Sequence, residues 1–452
     1  MSTRRRWAAL VGALPMLLGT WAPAAPAPSA PSLGIAPFLN SRDPPFYRRL
    51  DAATQARAQL GHAVFNTQFV PAGTAGGGRI DGLGPLFNAA SCDECHNEGA
   101  DARGPRADGP APPNLVVQLQ RPAPPGAAAP GDPRYGQVLN TASLPGLQPE
   151  GSVTIHYRPL PGHYPDGQAW TLREPQYRLS GLRYGPLGPD TIVKPRLAPA
   201  LFGDGLLDAV PVAAIVNPSD AANGGVPAWQ GVGAQRQLGR LGWQGSSLSI
   251  RDQTGKALAR EMGLTNPAYP QDDCTAVEVD CRAAANGGAP EVSAQLFDAV
   301  VEFERWLAVP AAPAAAVTQA ARGRGAELFA QVGCAACHRA QLPVLLPAAP
   351  GASARAWIDP YTDLLLHDLG PALADRDASG RPVRSLWRTA PLWGLGYRIG
   401  REQQLTLLHD GRARSVEEAI LWHDGQAQAA RLAFEQLPAA QRQVLLQWVG
   451  AR

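Results

Sequence analysis

Charge is scarce in this 452-residue chain: Asp, Glu, Lys and Arg make up 17% of it, and the formal net charge is +2. That balance gives no case for a nucleic-acid backbone or an anionic membrane surface as partner. Several common chemistries are missing too. There is no G-x-S-x-G, no H-E-x-x-H and no phosphate loop, the glycines of the middle third being scattered. Beyond Trp21 no segment is apolar enough to span a bilayer. Methionine occurs three times and cysteine six times. Gly and Pro, by contrast, number 48 and 45, about a fifth of the chain against roughly an eighth in an average protein. This is below the disordered range and implies a globular, loop-rich protein.

The N-terminus reads Arg4-Arg5-Arg6, an apolar run from Trp7 to Trp21, then Ala22-Pro23-Ala24. We read residues 1–24 as a secretory signal peptide cleaved after Ala24. Against a membrane anchor, the run is short and Pro15 interrupts it. Loss of the three leader arginines leaves a formal charge of −1 and a periplasmic or secreted protein. Met1 and Met16 leave with the leader, so Met262 is the single methionine of the mature chain.

What is present is a pair of motifs, Cys92-Asp93-Glu94-Cys95-His96 and Cys334-Ala335-Ala336-Cys337-His338. C-x-x-C-H is the attachment pattern of c-type haem: two thiols add to the porphyrin vinyls, and the adjacent His reaches the iron. A structural zinc site would bring its CxxC pairs close in sequence, without a His after each. Two covalently bound haem c groups are therefore expected, with His96 and His338 as proximal ligands. Export suits c-type haem, which is attached outside the cytoplasm. Leu86-Phe87 and Leu328-Phe329 precede the motifs at the same spacing and suit helices that pack on a porphyrin edge. Cys274 and Cys281, left without a haem role in a Pro- and Asp-containing loop, are expected to form a disulfide.

Leu296, Val300, Phe303 and Leu307 follow helical spacing, which stops near Pro310, and Ala308 to Ala321 is Ala/Pro-rich. This divides the mature chain into an N-terminal haem domain (25–307) with large insertions, a linker (308–321) and a C-terminal domain (322–452). The last resembles a single cytochrome c unit, closed by a helix that Pro438 opens and that packs through Gln441, Val444, Leu445 and Trp448. Pro122–Pro133 and Asn217–Gly233 read as loops. The fold class implied is mainly α, loop-rich, with two cytochrome c-like haem domains.

Beyond the proximal histidines, His62, His156, His163, His367, His409 and His423 remain. The usual sixth donors are Met or His, and one methionine can serve one haem at most. Met262 is a candidate ligand or core filler. His156, His163 and His62 are candidates at the first haem as distal ligand or acid–base group.

Further segments resemble a known family. They are Asp81-Gly82-Leu83-Gly84-Pro85-Leu86-Phe87-Asn88, the stretch Leu172 to Leu179, Gly203-Asp204-Gly205-Leu206-Leu207-Asp208-Ala209 and Gly239-Arg240-Leu241-Gly242-Trp243. Others are Tyr361 to Gly370, Trp387-Arg388-Thr389-Ala390-Pro391-Leu392-Trp393-Gly394 and Leu408-His409-Asp410-Gly411-Arg412-Ala413. Together they resemble the di-haem oxidoreductases, inferred peroxidases also known as predicted thiol oxidoreductases, which are related to bacterial di-haem cytochrome c peroxidases.

The resemblance implies a catalytic N-terminal haem and an electron-transfer C-terminal haem. The donor would be a small redox protein (a c-type cytochrome or a copper protein) and the acceptor peroxide or another small oxidant. Glu418-Ala419-Ile420-Leu421-Trp422-His423 resembles the stretch that gives the second haem its methionine in di-haem peroxidases, with His423 in the Met position. A bis-His second haem follows, with a lower potential than a His/Met one. Asp208, Asp204 and Glu174 lie in family-like segments and could move the proton that peroxide cleavage requires. Trp243 could carry an electron hole, and His409 and His367 suit structural roles. Calcium between the haems, as in related peroxidases, is possible, but the sequence marks no ligands for it. Two other readings stay open: an oxidase of an organic, thiol or protein substrate, and a non-enzymatic di-haem carrier.

Overall fold

Helix and strand occupy the chain almost evenly, 29% against 24%, so the expected mainly α fold gives way to a mixed α/β one. The computed structural model describes residues 33, 35–36, 45–96, 104–124, 127–216, 223–311, 319–349, 352–401 and 405–452. The signal peptide at 1–24 and the centre of the expected linker, 312–318, lie outside the described residues.

The two longest strands lie in the middle third. Ser152–His163 pairs antiparallel with Ala169–Ser180 over twelve residues a side, in register His163↔Ala169. The turn is Pro165-Asp166-Gly167, with Gly167 at φ +85°, the left-handed conformation such turns ask of glycine. Pro159, Pro161 and Pro175 argue against strand when read in sequence. They are accommodated because the outer half of the hairpin has no third strand to bond.

A five-stranded antiparallel sheet runs in the order Pro382–Val383, Asp375–Asp377, Ile192–Leu197, Leu115–Gln120, Val138–Leu139. Its strands come from both sides of residues 308–321. The cores do the same. One gathers Phe65, Phe202, Leu207, Phe303 and Trp393 with Leu342, Val344 and Ile358; another joins Phe329, Phe434, Leu445 and Trp448 to Tyr164 and Leu172.

Two helix crossings frame the motifs. Ala52–Asn66, capped by Asp51, crosses Ala294–Trp306, capped by Ser293. Gln319–Gln331 crosses Ala439–Val449. Each crossing is built on glycine: a Cβ on Gly61 would stand 1.9 Å from the Ala299 carbonyl oxygen, and one on Gly325 would stand 2.3 Å from Trp448 Cβ. One helical turn later each helix presents a phenylalanine on the same face. Phe65 packs on Phe303 with centroids 5.4 Å apart, and Phe329 packs on Trp448 at 4.9 Å. Elsewhere, Cys274 and Cys281 form a disulfide that closes a short loop.

Candidate haem sites

His96 ends a five-residue helix that starts at Cys92. Its Nδ1 lies 2.9 Å from the Pro199 carbonyl oxygen. His338 repeats the arrangement, with Nδ1 2.9 Å from the Tyr361 carbonyl oxygen. A carbonyl only accepts, so each Nδ1 carries the proton and each Nε2 keeps its lone pair for a metal. Burial pushes both rings down to about 4, against the carbonyl bond that favours the charged form. A neutral imidazole with a fixed tautomer is what iron ligation needs. Phenylalanine stands at the same distance from both: Phe65 to His96 is 6.2 Å and Phe329 to His338 is 6.3 Å between centroids.

The expected aromatic counterparts are thus half right. Leu328-Phe329 is helical, but Leu86-Phe87 forms a short strand with Ala142–Ser143. The partner of His96 is Phe65, from a helix separated from the motif by residues 67–91. The signal that sequence reading missed is Gly61-x-x-x-Phe65 matched by Gly325-x-x-x-Phe329.

All four motif cysteines are unpaired. Burial holds Cys92 and Cys334 as neutral thiols, pushed up to about 12, and raises Cys95 as well. A cavity of about 500 Å³ is lined by Cys334, Cys337, His338 and His423 at one end, within the size range of cofactor sites. Trp387, Arg388, Trp393, Pro199 and Asp204 line it too, whereas Cys92, Cys95 and His96 do not. It reaches the first motif only through Pro199, whose carbonyl accepts from His96. The motif thiols, the fixed histidines and the apolar walls (Phe329, Leu369, Leu392, Leu445) fit a covalently held haem at this end.

His423 follows the helix Val416–Leu421 and places its Nδ1 2.7 Å from the Ala419 carbonyl oxygen. It has the same tautomer and free Nε2 as the proximal histidines, and burial again favours its neutral form. Backbone strain gathers here too. Among the described residues, the non-glycine residues at positive φ are Tyr361, Leu364 and Leu408: the first is His338's acceptor, the second lies three residues on, and the third is in the cavity wall, a placement typical of functional sites.

His367 is 2% exposed, with Nε2 2.9 Å from Asp363 and Nδ1 3.8 Å from Cys337 Sγ. Burial alone would discharge it, but Asp363 overrides this and lifts it to about 9. Cys337, Asp363 and His367 are the one group of three or more such ligands close enough to hold a metal among the described residues. Since Cys337 is spoken for by the motif, His367 and Asp363 act as a brace behind it. His409 is neutral by burial, at about 3, and stacks on Trp387 at 3.9 Å. Trp243 lines the cavity and donates from Nε1 to the Leu197 carbonyl, 2.8 Å away.

The candidates for the first haem scatter. His156 and His163 are both exposed, on opposite faces of the long hairpin, and His156 pairs with Asp108. A group that moves protons at a shielded iron has to be shielded with it, and neither ring is. Glu174 is engaged by Arg158 and Arg376. Asp208 is raised by burial and opposed by Arg240, yet it does not line the cavity. Met262 packs in the core cluster that Cys92 borders. His62 packs at a tilt on Phe303, centroids 5.0 Å apart, the ring that Phe65 also touches. Asp204, by contrast, lines the cavity, and burial raises it to about 7, with Arg388 acting in the opposite sense.

Comparison with known proteins accords with this geometry. No curated protein matches the chain. Among solved structures it aligns with Kuenenia stuttgartiensis hydrazine synthase pressurised with xenon, at TM-score 0.38 and 14% identity, over 95% of this chain and 100% of that one; so low a similarity carries no argument. The family model described as "Di-haem oxidoreductase, putative peroxidase" matches residues 187–451, well over half the chain, including the second motif, His423 and Asp204. The chain belongs to the di-haem oxidoreductase family.

Proposed function

We propose that this protein is an exported di-haem c-type cytochrome that reduces peroxide at its first haem, using electrons delivered through its second. The observation that carries the proposal is an asymmetry between the two motifs. His338 and His423 line one cavity, and each has its Nδ1 committed to a backbone carbonyl, which leaves Nε2 for a metal. Of the candidates named for the first haem, His156 and His163 are exposed and Met262 is packed in a core cluster.

Bound haem would supply an iron that exchanges single electrons. Cys92 with Cys95, and Cys334 with Cys337, would anchor the two groups, and the Pro199 and Tyr361 carbonyls would aim His96 and His338. Asp204, ionised above about pH 7, would accept a proton from the inner oxygen of peroxide and return it to the outer one. Trp387 and Trp243 both line the cavity and would serve as stepping stones for electrons leaving the second haem. The donor would be a small redox protein, reaching the second haem from the periplasmic side.

An EPR and optical spectrum before and after one-electron reduction tests the reading. It requires one bis-His low-spin haem, and a second that is, or becomes, high-spin and responds to peroxide. Two haems that stay six-coordinate and low-spin in every redox state, with no peroxide response, would make the protein an electron carrier instead.

A further inference from the structure

Away from the cavity, two carboxylates face each other inside the protein. Glu150 is 1% and Glu278 2% exposed, and their carboxyl groups lie within hydrogen-bonding contact. Glu150 Oε2 accepts from the Asn140 backbone N–H. Glu278 Oε2 accepts from the Thr275 N–H at 2.5 Å, while its Oε1 is buried with no hydrogen-bond partner. Neither residue takes part in an ion pair among the described residues, and the largest influences on the Glu150 carboxyl are burial and Glu278, both of which favour its neutral form. Arg183, the nearby cation, is engaged by Asp280 at 2.7 Å. Asp273 lies farther off, outside ligand distance of the pair, and burial and Glu278, against Arg260, push it up to about 6.

Two like charges cannot remain in contact in the interior without something positive between them. A single shared proton would satisfy the orphaned Oε1 but leave one net negative charge without a counter-ion. A divalent cation cancels both. All the donors are oxygens, which selects a hard ion, and backbone carbonyls and water complete such shells. The loop bearing Glu278 is closed by the Cys274–Cys281 disulfide, which holds this ligand in place before any ion arrives.

We propose that Glu150 and Glu278 hold one hard divalent cation of the Ca²⁺ class, at a site outside the cavity lined by the second motif. The ion braces the approach to the first haem motif. From Glu150 the bonding runs to Asn140, whose Oδ1 accepts from Asn88 Nδ2 at 3.2 Å, and Asn88 lies four residues before Cys92.

The test uses the full-length, haem-loaded protein stripped with EDTA and titrated with Ca²⁺. One Ca²⁺ should bind per chain, and millimolar Ca²⁺ should raise the melting temperature by about 3 °C or more. Glu278→Gln and Glu150→Gln should each weaken uptake at least tenfold, while Asp280→Asn, on the exposed side of the same loop, should leave it unchanged. If the Gln variants do not fold, the wild-type titration decides alone. No uptake, or uptake that survives both variants, overturns the proposal. So does a melting temperature indifferent to Ca²⁺ that rises on acidification, the mark of a shared proton.

Discussion

The Nδ1–H of His423 is committed to a backbone carbonyl just as in the two motif histidines, and this commitment sets what its removal should do. His423→Gly is expected to turn the second haem, not the first, high-spin by EPR and to slow turnover by interrupting electron delivery. Persistence of both low-spin signals would show that His423 is no ligand. Asp204 makes the second residue-scale prediction. Since the carboxylate form accepts the peroxide proton, the rate should rise with pH through about 7. Asp204→Asn should cost about 10²- to 10⁴-fold and flatten that profile. Stability should move the other way. A carboxyl whose folded pKa is raised binds its proton more tightly folded than unfolded, so stability falls as pH rises from about 4 to 7. Asp204→Asn should therefore melt higher than wild type at pH 8 while turning over slowly. The two motifs could be read in sequence from their local spacing, and His423 from the resemblance of Glu418–His423 to a peroxidase stretch. Asp204 could not be ranked above Asp208 or Glu174 there, because what separates them is burial in a cavity made by distant segments.

At the scale of elements, the paired helix crossings are the most exacting parts of the molecule. Gly325→Ala drives a methyl group into Trp448 Cβ, and Gly61→Ala drives one into a backbone carbonyl. Overpacking of this kind typically costs about 1–3 kcal/mol, and the Gly61 variant should be the worse because a main-chain oxygen cannot rotate away. Thermal unfolding measures the order; equal, negligible losses would mean that the crossings relax freely. The helices Ala294–Trp306 and Ala439–Val449 could be read from their spacing and their caps. The long hairpin could not, although Pro165-Asp166-Gly167 marked its turn, because three prolines in its flanks obscured the strands. The mainly α expectation rested on the haem motifs and the helices near them, with nothing read from these strands. The first Phe–His contact was hidden for a different reason: the inserted residues 67–91 separate Phe65 from its motif.

For the whole molecule, denaturing mass spectrometry should find two covalent haems. Replacing Cys92 and Cys95 together should remove one and leave the other. The expected domains meet a sharper test. The sheet and both large cores draw on residues from either side of 308–321, so a fragment ending at 307 lacks two sheet strands and the Leu342, Val344 and Ile358 side chains. It should show no cooperative melt, whereas the full chain should unfold in a single step. The sheet also carries a consequence in time. Ile192–Leu197 waits between Leu115–Gln120 and Asp375–Asp377, and two residues beyond it lies Pro199, whose carbonyl aims His96. Long-range pairing of this kind closes late. One edge of Ile192–Leu197 can pair as soon as its own part of the chain has folded, but the other stays open until Asp375–Asp377, from beyond the second motif, has come in. The segment that aims the first proximal histidine is thus fully framed only once the half of the chain that carries the second has also folded.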